Sequence, residues 1–274
     1  MKTILVPMDF SKASQNAAEY AVSLAKAFDA EVVFINATVP ALIVDDSVLA
    51  SVMITQAEIL ENNKHLMQEE VEALSKNYPS KITGLVQEGY PSDVIDEMAK
   101  VKQADLIAMG MKGKGKSNSA FGSTTTTITR KSGFPVFVIP EKADYNPISN
   151  ITFAADFDSQ TEINRYTLLF ELAEKFNSQV YILNVQKKDS SLKPDEAIGK
   201  MNASLAFLKI NHQFQTINER NVEKGINQFI KKNRTDILVM VAHQHNLFQR
   251  MFGNVYTKEM SYQTKIPLLV LPGK

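Results

Sequence analysis

The chain contains no cysteine, and that absence excludes disulfide bonds and thiolate metal sites. It also carries no excess charge of either sign, because 30 Lys and Arg residues balance 30 Asp and Glu residues. We therefore expect neither nucleic acid nor a membrane surface among its partners. No apolar run reaches the roughly 18 to 20 residues that a membrane helix needs. Residues 1–6 begin a strand pattern instead of a signal peptide, so we expect a cytoplasmic protein.

What is present is a repeat. The 274 residues, 44% of them hydrophobic, suffice for roughly two domains with packed cores, and five stretches of the first half recur in the same order in the second. The matching pairs are residues 4–10 with 151–157, 24–28 with 172–176, 33–36 with 181–184, 104–107 with 235–238, and 134–140 with 266–272. A duplication explains this order best. We predict domains at 1–143 and 147–274, joined by a turn-rich linker within 141–150.

Each copy alternates short β-branched apolar runs with amphipathic helical patterns. This alternation predicts β-α-β crossovers and an α/β fold, in which each domain has a five-stranded parallel sheet covered by helices on both faces. Predicted strands in the first copy lie near 2–8, 31–37, 81–88, 104–110 and 135–140, and predicted helices near 12–28, 46–77, 92–102 and 123–132. The second copy repeats the order, with strands near 150–155, 179–185, 212–217, 236–242 and 267–271.

Glycines follow the fourth predicted strand of the first copy. Gly110 and Gly113 lie in the loop after the strand, and Gly122 opens the next helix. Glycine lets a backbone approach a ligand without interference from Cβ, and the free amides at a helix start favour an anion. Lysines at 112, 114 and 116 add positive charge. The pattern indicates a phosphate site; the alternative is a basic surface loop before a Ser-capped helix.

Open parallel sheets bind ligands beyond the carboxyl ends of their strands. That rule puts Asp9, Ala37, Gly89 and the Gly110 loop on one edge of the predicted sheet. Amides and hydroxyls suit phosphate oxygens, whereas the carboxylate of Asp9 suits ribose hydroxyls or an amine. The alternative role for Asp9 is that of a helix N-cap or a turn acceptor before Ser11.

The whole chain resembles the universal stress protein family in three features: this glycine pattern, the Asp9 at the end of the first strand, and the tandem arrangement. Nucleotide-binding members of that family carry Gly-x-x-Gly, nine residues, and then Gly-Ser/Thr after the fourth strand. Here Gly110-x-x-Gly113 is followed by eight residues before Gly122-Ser123, so the loop is one residue short. The resemblance implies two tandem Rossmann-like domains of the adenine-nucleotide α-hydrolase type.

The resemblance also implies a site for an adenine nucleotide, ATP or AMP, to which Mg²⁺ would bind together with the phosphates. Asp9 would bind the adenosine moiety, with Pro7 and Ala37 lining the base pocket. Ribose and phosphates would be held by residues of the glycine-rich segment, and Lys112 would neutralise phosphate charge. These segment residues are Met109, Gly110, Gly113, Gly122, Ser123 and Thr124. The choice between ATP, ADP and AMP stays open.

The second copy lacks the phosphate pattern. Gly110 becomes Val241 and Gly113 becomes Gln244, while Gly253 remains with Asn254 in place of Ser123. We therefore expect nucleotide only in the first domain. His243 and His245 flank Gln244, but no carboxylate stands beside them at ligand spacing, so we predict no metal site there.

The resulting expectation is a stress-linked sensor or interaction module that binds one nucleotide per chain, forms a homo-oligomer and has an unidentified protein partner. We name no catalytic residue. Two alternatives remain: a slow ATPase or phosphoryl-transfer enzyme, and a scaffold that binds no nucleotide.

Overall fold

A computed structural model describes residues 1–40, 49–76, 78, 81–111, 121–155, 163–186, 194–242 and 266–273. The chain divides into two compact units, Met1–Lys142 and Ala143–Lys274. None of the helices in these ranges has the length and apolar character that crossing a bilayer requires.

The amino-terminal unit is a parallel α/β sheet. Its strands lie in the order β3-β2-β1-β4-β5, and the described neighbours pair in parallel, which confirms the predicted fold class. Its elements are β1 (Thr3–Pro7), α1 (Lys12–Phe28), β2 (Glu31–Thr38), α2 (Leu49–Ser75), β3 (Ile82–Glu88), α3 (Pro91–Val101), β4 (Leu106–Gly110), α4 (Ser123–Lys131) and β5 (Val136–Ile139).

The helices of this unit cover both faces of the sheet. Small side chains on α1, including the fully buried Ala17, Ala21 and Ala25, let that helix lie close against the central strands. Helix α2 packs on β2 and β3, and α3 contacts α4. Strand order reverses at β1, so right-handed crossovers carry α1 and α2 to one face and α3 and α4 to the other.

The carboxyl-terminal unit repeats this topology, with strand order β10-β9-β6-β7-β8 and parallel pairing between the described neighbours. Its elements are β6 (Asn150–Ala154), a 3₁₀ turn (Ile163–Tyr166), α5 (Thr167–Phe176), β7 (Gln179–Gln186), α6 (Pro194–Ala206), β8 (His212–Asn218), α7 (Val222–Asn233), β9 (Ile237–Val241) and β10 (Leu268–Leu271). An aromatic cluster fills the core beneath α5. Its members, Phe153, Tyr166, Phe170 and Phe207, have ring centroids 5.0 to 6.0 Å apart.

In both units, an equivalent carboxylate accepts hydrogen bonds from backbone N–H groups at the start of the first strand. In the amino-terminal unit, Asp105 accepts a hydrogen bond from the Thr3 N–H at 3.0 Å. In the other unit, Asp236 accepts from the N–H groups of Ser149 and Asn150, each at 2.8 Å. Asp105 and Asp236 are 131 residues apart, as are the repeats that contain them. The repeated contact supports the duplication at the level of single hydrogen bonds.

Candidate functional site

The turn between β1 and α1 carries Asp9. The Met8 N–H donates to the Ile35 carbonyl at 2.9 Å, so the chain stays attached to β2 one residue before Asp9. Ser11 caps α1: its Oγ accepts from the Ser14 N–H at 3.2 Å. Asp9 Oδ1 accepts from the Ser11 N–H at 3.1 Å. Asp9 is therefore a turn acceptor and Ser11 the N-cap, while the half-buried Asp9 side chain lies at the carboxyl end of the sheet.

Phe10 gives this turn an uncommon backbone conformation, with φ at 57°. The other described non-glycine residues with positive φ lie at or just beyond helix ends, where the left-handed conformation is a normal way to stop a helix. Phe10 instead precedes a helix. Residues held in this region cluster at ligand sites when their surroundings force the conformation on them.

The end of β4 is joined to the start of α4. Gly122 is the N-cap of α4, and its N–H donates to the Met111 carbonyl at 2.9 Å. Thr125 Oγ1 donates to the Gly110 carbonyl at 3.0 Å. Among the described residues, no side chain caps the first turn of α4. The Ser123 and Thr124 amides thus lie at the start of α4, where free N–H groups suit an anion.

Packing gives a separate reason for a glycine at position 110. A Cβ built on Gly110 would lie 2.7 Å from the carbonyl oxygen of Ala13 and 3.1 Å from the Ala13 Cβ. The missing side chain therefore lets the first turn of α1 lie against the end of β4. Sequence reasoning assigned that space to a ligand, whereas the described contact is with the protein's own backbone.

The remaining predicted site residues fall into two groups. Pro7 ends β1 and Ala37 lies near the end of β2, both half-buried, whereas Met109 in β4 is only 4% exposed. Because β1 lies between β2 and β4, the carboxyl ends of these strands are neighbours. Lys112 and Gly113 lie outside the described residues, as do Lys114 and Lys116.

Sequence reasoning missed the residues that support the site. Asn36 Nδ2 donates to the Met8 carbonyl at 2.7 Å, and Asn184 Nδ2 donates to the Ala155 carbonyl at 3.1 Å in the second unit. An asparagine at the same place in two otherwise apolar strands was the available signal. The support from Ser14 to the Ser11 cap and the approach of Ala13 to Gly110 depend on three-dimensional contacts.

The equivalent edge of the second unit differs in chemistry. Val241, at the place of Gly110, is buried at the end of β9. The loop after β8 carries Glu219, whose pKa is lowered by a hydrogen bond from the Asn221 N–H and by the charge of Lys224. An ionised carboxylate thus stands on this edge at neutral pH. Asp156, His243, Gln244, His245, Gly253 and Asn254 lie outside the described residues.

Comparison with known proteins identifies the family of this chain. The model of the universal stress protein family matches residues 1–140. The chain belongs to the universal stress protein family. A family member from Methanocaldococcus jannaschii is 32% identical over 144 residues, which are 50% of this chain and 81% of that protein.

Solved structures share the fold of this universal stress protein over nearly its whole length. A universal stress protein of Archaeoglobus fulgidus is 16% identical with a TM-score of 0.71, and the match covers 99% of this chain and 98% of that one. A Pseudomonas aeruginosa protein of unknown function is 12% identical with a TM-score of 0.58, over 99% and 92% of the two chains. At these identities the likeness concerns the fold alone.

Proposed function

We propose that this universal stress protein binds an adenine nucleotide, ATP or AMP, in its amino-terminal unit and acts as a stress-response sensor or interaction module. The observation that carries the proposal is the meeting of three elements at one edge of the sheet: the Asp9 turn, the end of β4 at Gly110, and the start of α4 at Gly122. Such an edge is where open parallel sheets bind ligands.

The chemistry of these elements suits the two ends of a nucleotide. The amides of Ser123 and Thr124 and their hydroxyl groups would hold phosphate oxygens, supported by the helix dipole of α4. Asp9 would accept hydrogen bonds from ribose hydroxyls or from an exocyclic amine. Pro7 and Ala37, half-buried on adjacent strands, would offer apolar contact to the base.

The same reasoning limits nucleotide to one unit. In the carboxyl-terminal unit, Gln244 takes the place of Gly113 and Asn254 that of Ser123, while Val241 takes the place of Gly110. A side chain at the place of Gly113 would hinder the close approach of a phosphate to the backbone that glycine allows. We therefore propose that this unit has a role other than holding the same nucleotide.

The test is a calorimetric titration of the full chain with ATP, ADP and AMP, with and without Mg²⁺. We expect about one nucleotide per chain. Asp9→Ala should weaken binding about 10-fold or more, because a hydrogen bond to a charged group contributes about 1.5–3 kcal/mol. The matched control is Asp156→Ala, the equivalent position in the second copy, which should bind as the wild type does.

The outcomes separate the candidate functions. No binding of any of the three nucleotides would overturn the proposal and leave the scaffold alternative. Binding accompanied by turnover in a single-turnover assay would favour the enzyme instead of the sensor. A thermal melt of Asp9→Ala shows whether the variant is folded, since Asp9 also accepts a bond within its own turn.

A further inference from the structure

Helix α2 is connected to the Asp9 turn by a chain of side-chain hydrogen bonds. Asn63 on α2 donates through Nδ2 to Thr38 Oγ1 at 3.0 Å. Thr38 Oγ1 donates to Asn36 Oδ1 at 3.3 Å, and Asn36 Nδ2 donates to the Met8 carbonyl at 2.7 Å. We call these four residues the relay. It crosses from the helix through the end of β2 to the residue directly before Asp9.

A second contact joins α2 to the other side of the same turn. Gln15 on α1 donates through Nε2 to the carboxylate of Glu70 on α2. Asn63 and Glu70 are seven residues apart and so lie on one face of α2, with the buried Met67 between them. Helix α2 therefore contacts both the end of β2, which bonds to the residue before Asp9, and the helix that follows Asp9.

The interior of the relay is shielded from water. Asn36 and Thr38 are each only 5% exposed. The Thr38 hydroxyl accepts from one neighbour while it donates to the next, an arrangement in which each bond polarises and strengthens the other. Breaking one bond leaves a buried polar atom unsatisfied, so the four residues resist independent movement.

In the described part of the second unit, only the last link of this chain is present. Asn184 donates to the Ala155 carbonyl as Asn36 does to Met8. Gln186 occupies the position of Thr38, and the buried Asn184 Oδ1 has no hydrogen-bond partner among the described residues. Among the described residues, the bond to the helix is therefore found in the unit for which we propose nucleotide binding.

We propose that Asn63 and Thr38 are positioning residues, which hold the Met8–Asp9 turn in its nucleotide-binding shape and so couple occupancy of the site to the order of α2. This inference rests on the proposed function. Coupling of this kind is reciprocal: if α2 supports the site, a bound nucleotide supports α2 equally.

The test combines ATP affinity with amide hydrogen exchange of α2 in the full-length protein. In the wild type, saturating ATP should slow exchange in α2. Asn63→Ala and Thr38→Val should each weaken ATP binding about 3- to 10-fold, the effect of about one lost hydrogen bond, and should abolish that slowing. Thr38→Ser keeps the hydroxyl and should restore both. The control is Gln68→Ala, since Gln68 bonds only to Glu72 within α2 in the described contacts.

Each other result is decisive. If the wild type binds none of ATP, ADP and AMP, the proposed function fails and this inference fails with it. If the wild type binds ATP but Asn63→Ala and Thr38→Val bind it equally well, the relay has no positioning role while the proposed function stands. If these two variants melt at a lower temperature but bind ATP with unchanged affinity, the conclusion is the same. A loss in Thr38→Ser as large as in Thr38→Val would overturn the role of the hydroxyl.

Discussion

At the scale of single residues, Gly110 is the described glycine at which an added Cβ would meet backbone atoms. We predict that Gly110→Ala destabilises the protein by about 1–3 kcal/mol, the usual cost of forcing an extra group into a packed interior. The reason is the 2.7 Å separation that the new Cβ would have from the Ala13 carbonyl oxygen. Thermal or urea denaturation of the amino-terminal unit measures the change.

Gly133→Ala is the matched control for that substitution. A Cβ at Gly133 meets no atom within 4 Å, and its φ is not in the left-handed region. Its stability should stay within about 0.5 kcal/mol of the wild type, or rise slightly because alanine restricts the unfolded chain. Equal stability of Gly110→Ala and Gly133→Ala would show that the approach of α1 to β4 does not require glycine.

At the scale of elements, α1 depends on its first turn. Ser11 and Ser14 cap each other reciprocally: the Ser14 N–H donates to Ser11 Oγ at 3.2 Å, and the Ser11 N–H donates to Ser14 Oγ at 3.1 Å. We predict that Ser11→Ala costs about 1 kcal/mol of stability and that Ser11→Asp, which supplies another good N-cap acceptor, costs less. Equilibrium denaturation in urea measures both changes.

Ser23→Ala tests whether that cost belongs to the cap. Ser23 lies within α1, where its hydroxyl donates to the Glu19 carbonyl of the preceding turn. Removing that hydroxyl should be neutral or slightly stabilising, because alanine has the higher helix propensity. A loss at Ser23 equal to the loss at Ser11 would contradict the special role of the cap.

The elements themselves were predictable from the sequence. Apolar runs bounded by turn residues predicted the described strands to within a few residues, because burial on both faces of a parallel sheet selects such runs directly. The predicted helix at 46–77 is described as Leu49–Ser75. Gly122 was correctly predicted to open α4.

The supporting contacts of the site were not predictable in this way. The bonds that join Asn63 to Thr38 and Gln15 to Glu70 link residues 25 and 55 positions apart. Nothing in a local pattern encodes which polar side chains will meet across two packed elements. The steric role of Gly110 is similar, since it depends on where α1 lies and not on the loop that follows.

At the scale of the whole molecule, the two units share one topology, but the residues at the carboxyl ends of their strands differ. Both keep the carboxylate that fastens the first strand, through Asp105 and Asp236. Both keep the asparagine at the end of the second strand, as Asn36 and Asn184. Fold-maintaining contacts thus persist in both copies, while Gly110 and Thr38 are replaced by Val241 and Gln186 in the second.

This division predicts that nucleotide stabilises the two units unequally. A ligand that binds only the folded amino-terminal unit stabilises it by about 2.7 kcal/mol at 100 times its Kd. In amide hydrogen exchange, saturating ATP should therefore slow the most protected amides of β1, β2 and β4, whereas those of β6, β7 and β9 should be unchanged. The effect should fall to about half or less in Asp9→Ala at the same ATP concentration, because a variant that binds about 10-fold more weakly is then at about 10 times its own Kd. Equal slowing in both sets of strands would overturn this prediction, since it would mean that the second unit binds nucleotide too or that the two units unfold as one.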